Sequence, residues 1–362
     1  MTDSAKFMDE LARHGPRQET FAGGLPQAFT YCRQLASRHY ENFAVLSWLL
    51  PRELREPFAA LYAYCRWADD LADETGNFGK SKELLDWWRQ ETIRCHAGEK
   101  AGHPILVALQ TVISRHQLPL RPFLDLLTAF QQDQNRKRYD SFNQLQSYCR
   151  GSADPVGRLV LGLFGYHAGS AEYAEREELS DHICTGLQLA NFCQDVGSDY
   201  HQRGRIYLPR DSWKMCDVTE ADFSATISSY NLRELVDFET SRAKAFLYGG
   251  WPLVGLLPRP YARVIDAIVR GGLAICEAIA RQKYDVLVRR PRLSRWTKGA
   301  ILCQAWLNAG RWNQDSAYEA LDRELLASLD TMSLELQAIN SAAEREEWKK
   351  SAQRKIDVEW DR

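Results

Sequence analysis

The chain has 362 residues, with 46 basic against 48 acidic side chains and a formal net charge of −2. That length supports a substantial buried core, and the near-balance of charge removes any general argument for nucleic acid or a strongly anionic surface as partner. Residues 1–26 are polar without an apolar h-region, and no apolar run reaches about 18 residues, so neither a secretory signal nor a transmembrane helix is expected.

Helical periodicity dominates in chain order. Candidate helices cover 27–38, 43–50, 52–74, 81–97, 103–116, 120–132, 141–151, 154–168, 172–200, 219–248, 259–285 and 294–309. The breaks fall at Leu50-Pro51, Gly76-Asn77, Leu118-Pro119, Gly151 to Pro155, Leu208-Pro209 and Leu257-Pro258, where Pro and Gly stop helices. Sustained strand alternation is missing, so the expected class is all-α around one core. Residues 1–26 read as a polar N-terminal segment and 27–310 as the main domain. Residues 311–362 are rich in charge and Gln, and read as a solvated, partly helical tail or a docking helix. Nine cysteines stand singly without C-x-x-C, as buried thiols in a reducing cytoplasm would.

The stretch RWADDLADE, Arg66 to Glu74, ends an apolar segment. On a helix, Asp69 and Asp73 stand one turn apart on one face, about 6 Å apart at the backbone, and Arg66 shares that face. Such a pair alone usually marks a solvated surface. A second stretch, GLQLANFCQDVGSDY, places Gln188, Asn191, Asp195 and Asp199 at spacings of three, four and four between apolar flanks. A polar stripe so flanked faces a cavity or a neighbour that satisfies it. The basic and aromatic loop GRIYLP, with Arg205 and Tyr207, follows.

Two facing helices with carboxylates four apart form an oxygen-only site, which selects hard cations, Mg²⁺ above all. Such ions complete their shell with water and phosphate, so the implied ligand is a diphosphate, with Arg66 and Arg205 offering further contacts. A buried acid network held by arginine would give the same pattern. A di-iron bundle would not, because no histidine follows a glutamate by three. Loss of diphosphate from an allylic or cyclopropylcarbinyl carbon leaves a cation that needs a dry aromatic cavity. Phe43, Tyr62, Tyr64, Trp67, Tyr148 and Phe192 are candidates for its walls.

YAYCRWADDLAD (Tyr62 to Asp73), QLANFCQDVGSD (Gln188 to Asp199) and RIYLP (Arg205 to Pro209) together resemble the squalene/phytoene synthase family, over about Ala28 to Leu307. The resemblance implies an isoprenoid synthase fold and Mg²⁺-assisted diphosphate binding. It makes Asp69, Asp73, Asn191, Asp195 and Asp199 metal or diphosphate residues. Arg66, Gln188, Arg205, Tyr207 and Arg289 become substrate contacts, and Tyr148 lies close to the reacting carbons.

Departures from the family pattern refine this. HYENF, His39 to Phe43, replaces H-S-K-S-F, so Tyr40 and Glu41 stand for a hydroxyl and an ammonium. Gln194 replaces a usual arginine, RGSADPVG (Arg150 to Gly157) replaces a glycine-rich segment, and Gly272 replaces a usual tyrosine. The loss of positive charge resembles the bacterial hopanoid-pathway branch, in which water captures the cation of presqualene diphosphate to give hydroxysqualene. Tyr40 or Glu41 would hold that water, although an ion pair of Glu41 with Arg38 or Arg33 is the plainer reading. The other readings are condensation of farnesyl diphosphate to presqualene diphosphate or squalene, the latter with NADPH; phytoene synthesis; and a non-catalytic helical assembly factor. The lipid substrate implies a cytoplasmic protein with peripheral contact at the inner face of a membrane and partner enzymes of the squalene pathway.

Overall fold

Apolar stripes at helical spacing shape the chain throughout residues 3–18, 20–39 and 49–308, which a computed structural model describes. The described residues form helices and loops without a strand, as the periodicity requires. The elements are α1 (Asp3–His14), α2 (Leu25–His39), α3 (Arg52–Asp73), α4 (Phe78–His96), α5 (Pro104–His116), α6 (Leu120–Asn135), α7 (Phe142–Ser152) and α8 (Asp154–Leu163). There follow α9 (Ala171–Arg203), two short helices, α10 (Arg210–Met215) and α11 (Glu220–Phe223), then α12 (Tyr230–Gly250), a 3₁₀ segment (Trp251–Leu256), α13 (Arg259–Arg281) and α14 (Arg295–Asn308). The candidate helix 43–50, the HYENF segment beyond His39 and the tail 311–362 lie outside the described residues, apart from Leu49 and Leu50.

Helix starts follow from local chemistry. The Asn77 side chain accepts from Lys80 N at 3.1 Å to open α4, and Ser141 Oγ accepts from Gln144 N to open α7. His103 caps α5 through Nδ1, ahead of a proline that needs no donor partner. The expected helix 219–248 is two helices. Thr219 and Asp222 close a capping box, and Ser229 accepts from Leu232 N, so the chain restarts between them. Helix 259–285 ends at Arg281 because Lys283 and Tyr284 turn left-handed, at φ 52° and 58°. No helix was expected before residue 27. Yet α1 forms, burying Phe7 and Leu11 and setting the Phe7 ring 5.3 Å from Trp67 of α3.

The long α9 runs through the middle, packed on α8, α12 and α13. Its approach to α12 is close enough that a Cβ at Gly250 would lie 2.5 Å from the Leu179 carbonyl oxygen, so only glycine fits. Opposite, the rear face of α3 is ordinary core. Tyr64 stacks on Trp88 at 5.6 Å and meets Phe123 edge-on at 5.0 Å, and both Tyr64 and Trp67 are fully buried. Each large apolar side chain so buried contributes roughly 1.5–3 kcal/mol. Two aromatics expected along a cavity wall, Tyr64 and Trp67, therefore pack the other way. They lie on the opposite side of α3 from Arg66, Asp69 and Asp73, as the helical period dictates. Among the described residues no helix is long and apolar enough to cross a membrane. All nine cysteines are free thiols, and Cys303 is exposed, contrary to the expectation that all are buried.

Candidate functional site

The front face of α3 carries a ladder of charge. Arg66 donates to Asp70 through Nε at 3.1 Å and Nη2 at 2.5 Å, and its Nη1 lies 3.5 Å from Asp69. The Asp69 side chain keeps 41% exposure, so it stands open beside this ladder. Burial and the neighbouring Asp73 carboxylate raise its pKa, against the pull of Arg66, Arg203 and Arg205.

Helix α9 brings the second stripe to the same place. It ends at Gly204, left-handed at φ 62°, where the Gly204 and Arg205 amides donate back to the carbonyls of Tyr200 and Asp199 at 2.9 Å each. This turn swings Arg205 under α3. Arg205 donates to both oxygens of Asp73, at 3.0 and 3.4 Å, and Arg203 Nε lies 3.0 Å from the same carboxylate. Arg203 also reaches Asp199 at 3.8 Å. The two motifs, 126 positions apart from Asp73 to Asp199, thus meet through Asp73, Arg203, Arg205 and Asp199. Burial and the like charge of Asp195 push the Asp199 carboxyl up to about 7, with both arginines opposing.

Asp195 is held from a different direction. Arg290, in the loop after α13, donates to both of its oxygens, through Nε at short range and Nη2 at 2.9 Å. Gln194 positions that arginine: its amide nitrogen donates to the Pro291 carbonyl at 2.6 Å, and its oxygen accepts from Arg290 at 3.2 Å. The positive charge expected at position 194 from the family pattern therefore arrives from residue 290. Arg289 is exposed and lines a cleft of about 400 Å³ with Gln282, Arg290 and Arg292. Asn191 is exposed and Gln188 half-buried on the α9 stripe. At Gly272 a Cβ would lie 2.8 Å from a methyl of Leu187 and 2.9 Å from one of Leu247, so a tyrosine there would displace both leucine side chains.

An aromatic wall lies beneath the acids. Phe192 stacks on Tyr207 at 4.0 Å, and Tyr148 and Tyr139 each lie 5.9 Å from Tyr207. Tyr148 and Tyr207 both donate to Oδ2 of Asp133, the latter at 3.1 Å. The sequence reading missed Asp133, Arg203 and Arg290. A signal existed for Asp133: it lies three residues beyond Phe130 and so continues the apolar stripe Phe123, Leu126, Leu127, Phe130. Tyr40, Glu41 and Phe43 lie outside the described residues.

Among the described residues no group of three His, Cys, Asp or Glu side chains forms a ready-made metal cage. The donors nonetheless fit Mg²⁺, which takes one or two carboxylates and fills its shell with water and phosphate. Each helix offers a carboxylate pair whose mutual repulsion already raises an acid pKa, and a dication would relieve that repulsion.

The family model described as squalene/phytoene synthase matches residues 36–297. The chain is 36% identical over 214 residues to a hydroxysqualene synthase of Rhodopseudomonas palustris, covering 59% of this chain and 70% of that one. It is 30% identical over 293 residues to a phytoene synthase of Arthrospira platensis, covering 78% and 93%. The crystal structure of squalene synthase HpnC from Alicyclobacillus acidocaldarius matches with a TM-score of 0.66 at 42% identity, covering 72% of this chain and 95% of that one.

Proposed function

The chain belongs to the squalene/phytoene synthase family, with an all-α isoprenoid synthase fold, and from that premise we propose that it ionises presqualene diphosphate and lets water capture the cation, giving hydroxysqualene and diphosphate. One observation carries the reading: two acidic stripes from distant segments are joined through Arg203 and Arg205 directly above an aromatic wall. Likeness to hydroxysqualene synthases supports the choice of reaction.

In this reading Asp69, Asp73, Asn191, Asp195 and Asp199 hold Mg²⁺. When bound, Mg²⁺ offsets the repulsion between carboxylates and diphosphate and stabilises the charge on the departing group. Arg66, Arg203 and Arg205, now turned to carboxylates, exchange part of that pairing for phosphate oxygens. Gln188 and Arg289 orient the substrate. Tyr148, Tyr207 and Phe192 line the space where the cation develops, with π-faces that favour positive charge and exclude stray water. Tyr40 or Glu41 holds the capturing water. The catalytic unit is 27–310, flanked by 1–26, which carries α1, and by 311–362. Peripheral membrane contact would use the stretch around α14, where Arg289, Arg292 and Arg295 accompany exposed Val288 and Trp296. In this reading the protein sits at the cytoplasmic face of a membrane, beside enzymes that supply presqualene diphosphate.

Purified protein with presqualene diphosphate and Mg²⁺, without NADPH, should give hydroxysqualene and inorganic diphosphate by chromatography. A second reading, condensation of two prenyl diphosphates, draws on the likeness to phytoene synthase. Turnover of farnesyl or geranylgeranyl diphosphate, with presqualene diphosphate untouched, would replace the first reading by the second. Glu41→Gln with an unchanged alcohol yield would remove Glu41 from the mechanism.

A further inference from the structure

Asp133, near the C-terminal end of α6, is 6% exposed. Its hydrogen bonding is lopsided. Two phenols, Tyr148 and Tyr207, donate to Oδ2, while Oδ1 is buried without a hydrogen-bond partner among the described residues. Burying a carboxylate with one oxygen unsolvated is costly, and anchoring two tyrosines does not require it, because a neutral amide oxygen would accept the same bonds. The under-solvated oxygen does have one chemical effect: it makes the carboxylate a better base. The phenol bonded to it, Tyr148, belongs to the aromatic wall, with Phe192 at 6.2 Å and Tyr207 at 5.9 Å between ring centres.

Water capture of a carbocation produces an oxonium that must lose a proton. We propose that Asp133, acting through the hydroxyl of Tyr148, is the terminal acceptor of that proton. This rests on the water-capture reading above. The balance is simple. A water lone pair forms the new C–O bond, and one O–H bond of the oxonium breaks toward the Tyr148 oxygen. The Tyr148 O–H breaks toward Oδ2 of Asp133. Cation, water and carboxylate become alcohol and neutral carboxylic acid, Tyr148 regains its proton, and nothing is oxidised or reduced. Tyr207 keeps its bond to Oδ2 throughout and holds the acceptor in place.

The surroundings suit an acceptor that must reload between turnovers. Burial pushes the Asp133 carboxyl up to about 7, while Arg205 and the two phenolic hydrogen bonds pull it down and Asp73 pushes slightly up. Tyr139 and Cys149 also face it and stay protonated, since burial raises both of their pKa values. The carboxyl is therefore ionised above about pH 7 and already protonated below it.

The test uses the full chain with Mg²⁺ and presqualene diphosphate, and reads two products per turnover: inorganic diphosphate and alcohol. Their ratio depends only on steps after ionisation, so titration of the acids around the diphosphate does not move it. Asp133→Asn should release diphosphate within about threefold of the wild-type rate. Its alcohol fraction should fall about tenfold or more, replaced by hydrocarbons that lose a proton from carbon. In the wild type the alcohol fraction should decline as pH drops through about 7. Tyr207→Phe removes a bond that lowers the acceptor's pKa, and should move that decline to higher pH. A wild-type alcohol fraction and pH profile in Asp133→Asn overturns the proposal. If that variant does not fold, an unshifted profile in Tyr207→Phe overturns it instead. Wild-type protein that makes no alcohol from presqualene diphosphate defeats the water-capture reading, and the relay with it. Alcohol made equally by wild type and Asp133→Asn defeats the relay alone.

Discussion

The two acidic helices carry the same spacing of carboxylates but restrain them differently. On α3, Asp73 is 13% exposed and bound by two arginines that come from the far end of α9. On α9, Asp195 is bound by Arg290 from a loop, and that arginine is 44% exposed. The first arrangement ties two helices together inside the protein. The second lays a loop residue across the outer acid. The difference shows that the motifs are not equivalent halves: one belongs to the framework, and the other can be uncovered at small cost.

The largest effects should leave the two halves equal. Asp69→Asn and Asp195→Asn should each lower kcat about 100- to 1,000-fold, measured by diphosphate release, if both stripes act on the leaving group. A wild-type rate in either variant would make that stripe structural only. Stability should then separate them. Arg205→Met leaves the largely enclosed Asp73 carboxylate with Arg203 alone and should cost about 3 kcal/mol in chemical denaturation. Arg290→Gln, at an exposed pair, should cost no more than about 1 kcal/mol. Equal losses would erase the distinction between framework and cover.

A smaller effect is expected from pH. Asp133 and Asp154, both buried, have carboxyls raised to about 7, mainly by burial. Unfolded, both would titrate near pH 3.9. Between these values the native state binds more protons than the unfolded state, so stability falls as pH rises from about 4 to about 7 and then levels. Thermal melts of the metal-free protein across that range should show this slope, and Asp133→Asn should make it shallower. A rising slope would contradict the burial of these acids. The smallest effect is ionic: raising salt to about 1 M should screen the exposed Arg290–Asp195 pair and leave the Asp73 cluster little changed. Melts of Arg290→Gln and wild type should then converge.

Much of this was legible in the residues. Asp69 and Asp73, and the stripe from Gln188 to Asp199, were readable because helical period fixes which side chains share a face. The fold class followed from the same periodicity. What escaped were contacts made by chain outside regular helices. Nothing in the sequence distinguishes Arg290 from Arg289 in a non-helical loop, and only the tertiary seat of Gln194 decides between them. Arg203 reads as an ordinary helix-end cation until α3 is placed beside it. Asp133 was visible as an acid in an apolar stripe, but its two phenols come from α7 and from the loop after α9. The break between α11 and α12 was hidden in a run of serines and threonines, which cap helices as readily as they continue them.

The seam where Gly250 of α12 meets α9 has a mechanical consequence. Backbone pressed against backbone cannot slide without opening voids, so α9 and α12 act as a fixed anvil. Any rearrangement of the bundle then falls to the opposite wall, on the side of α2 and α3.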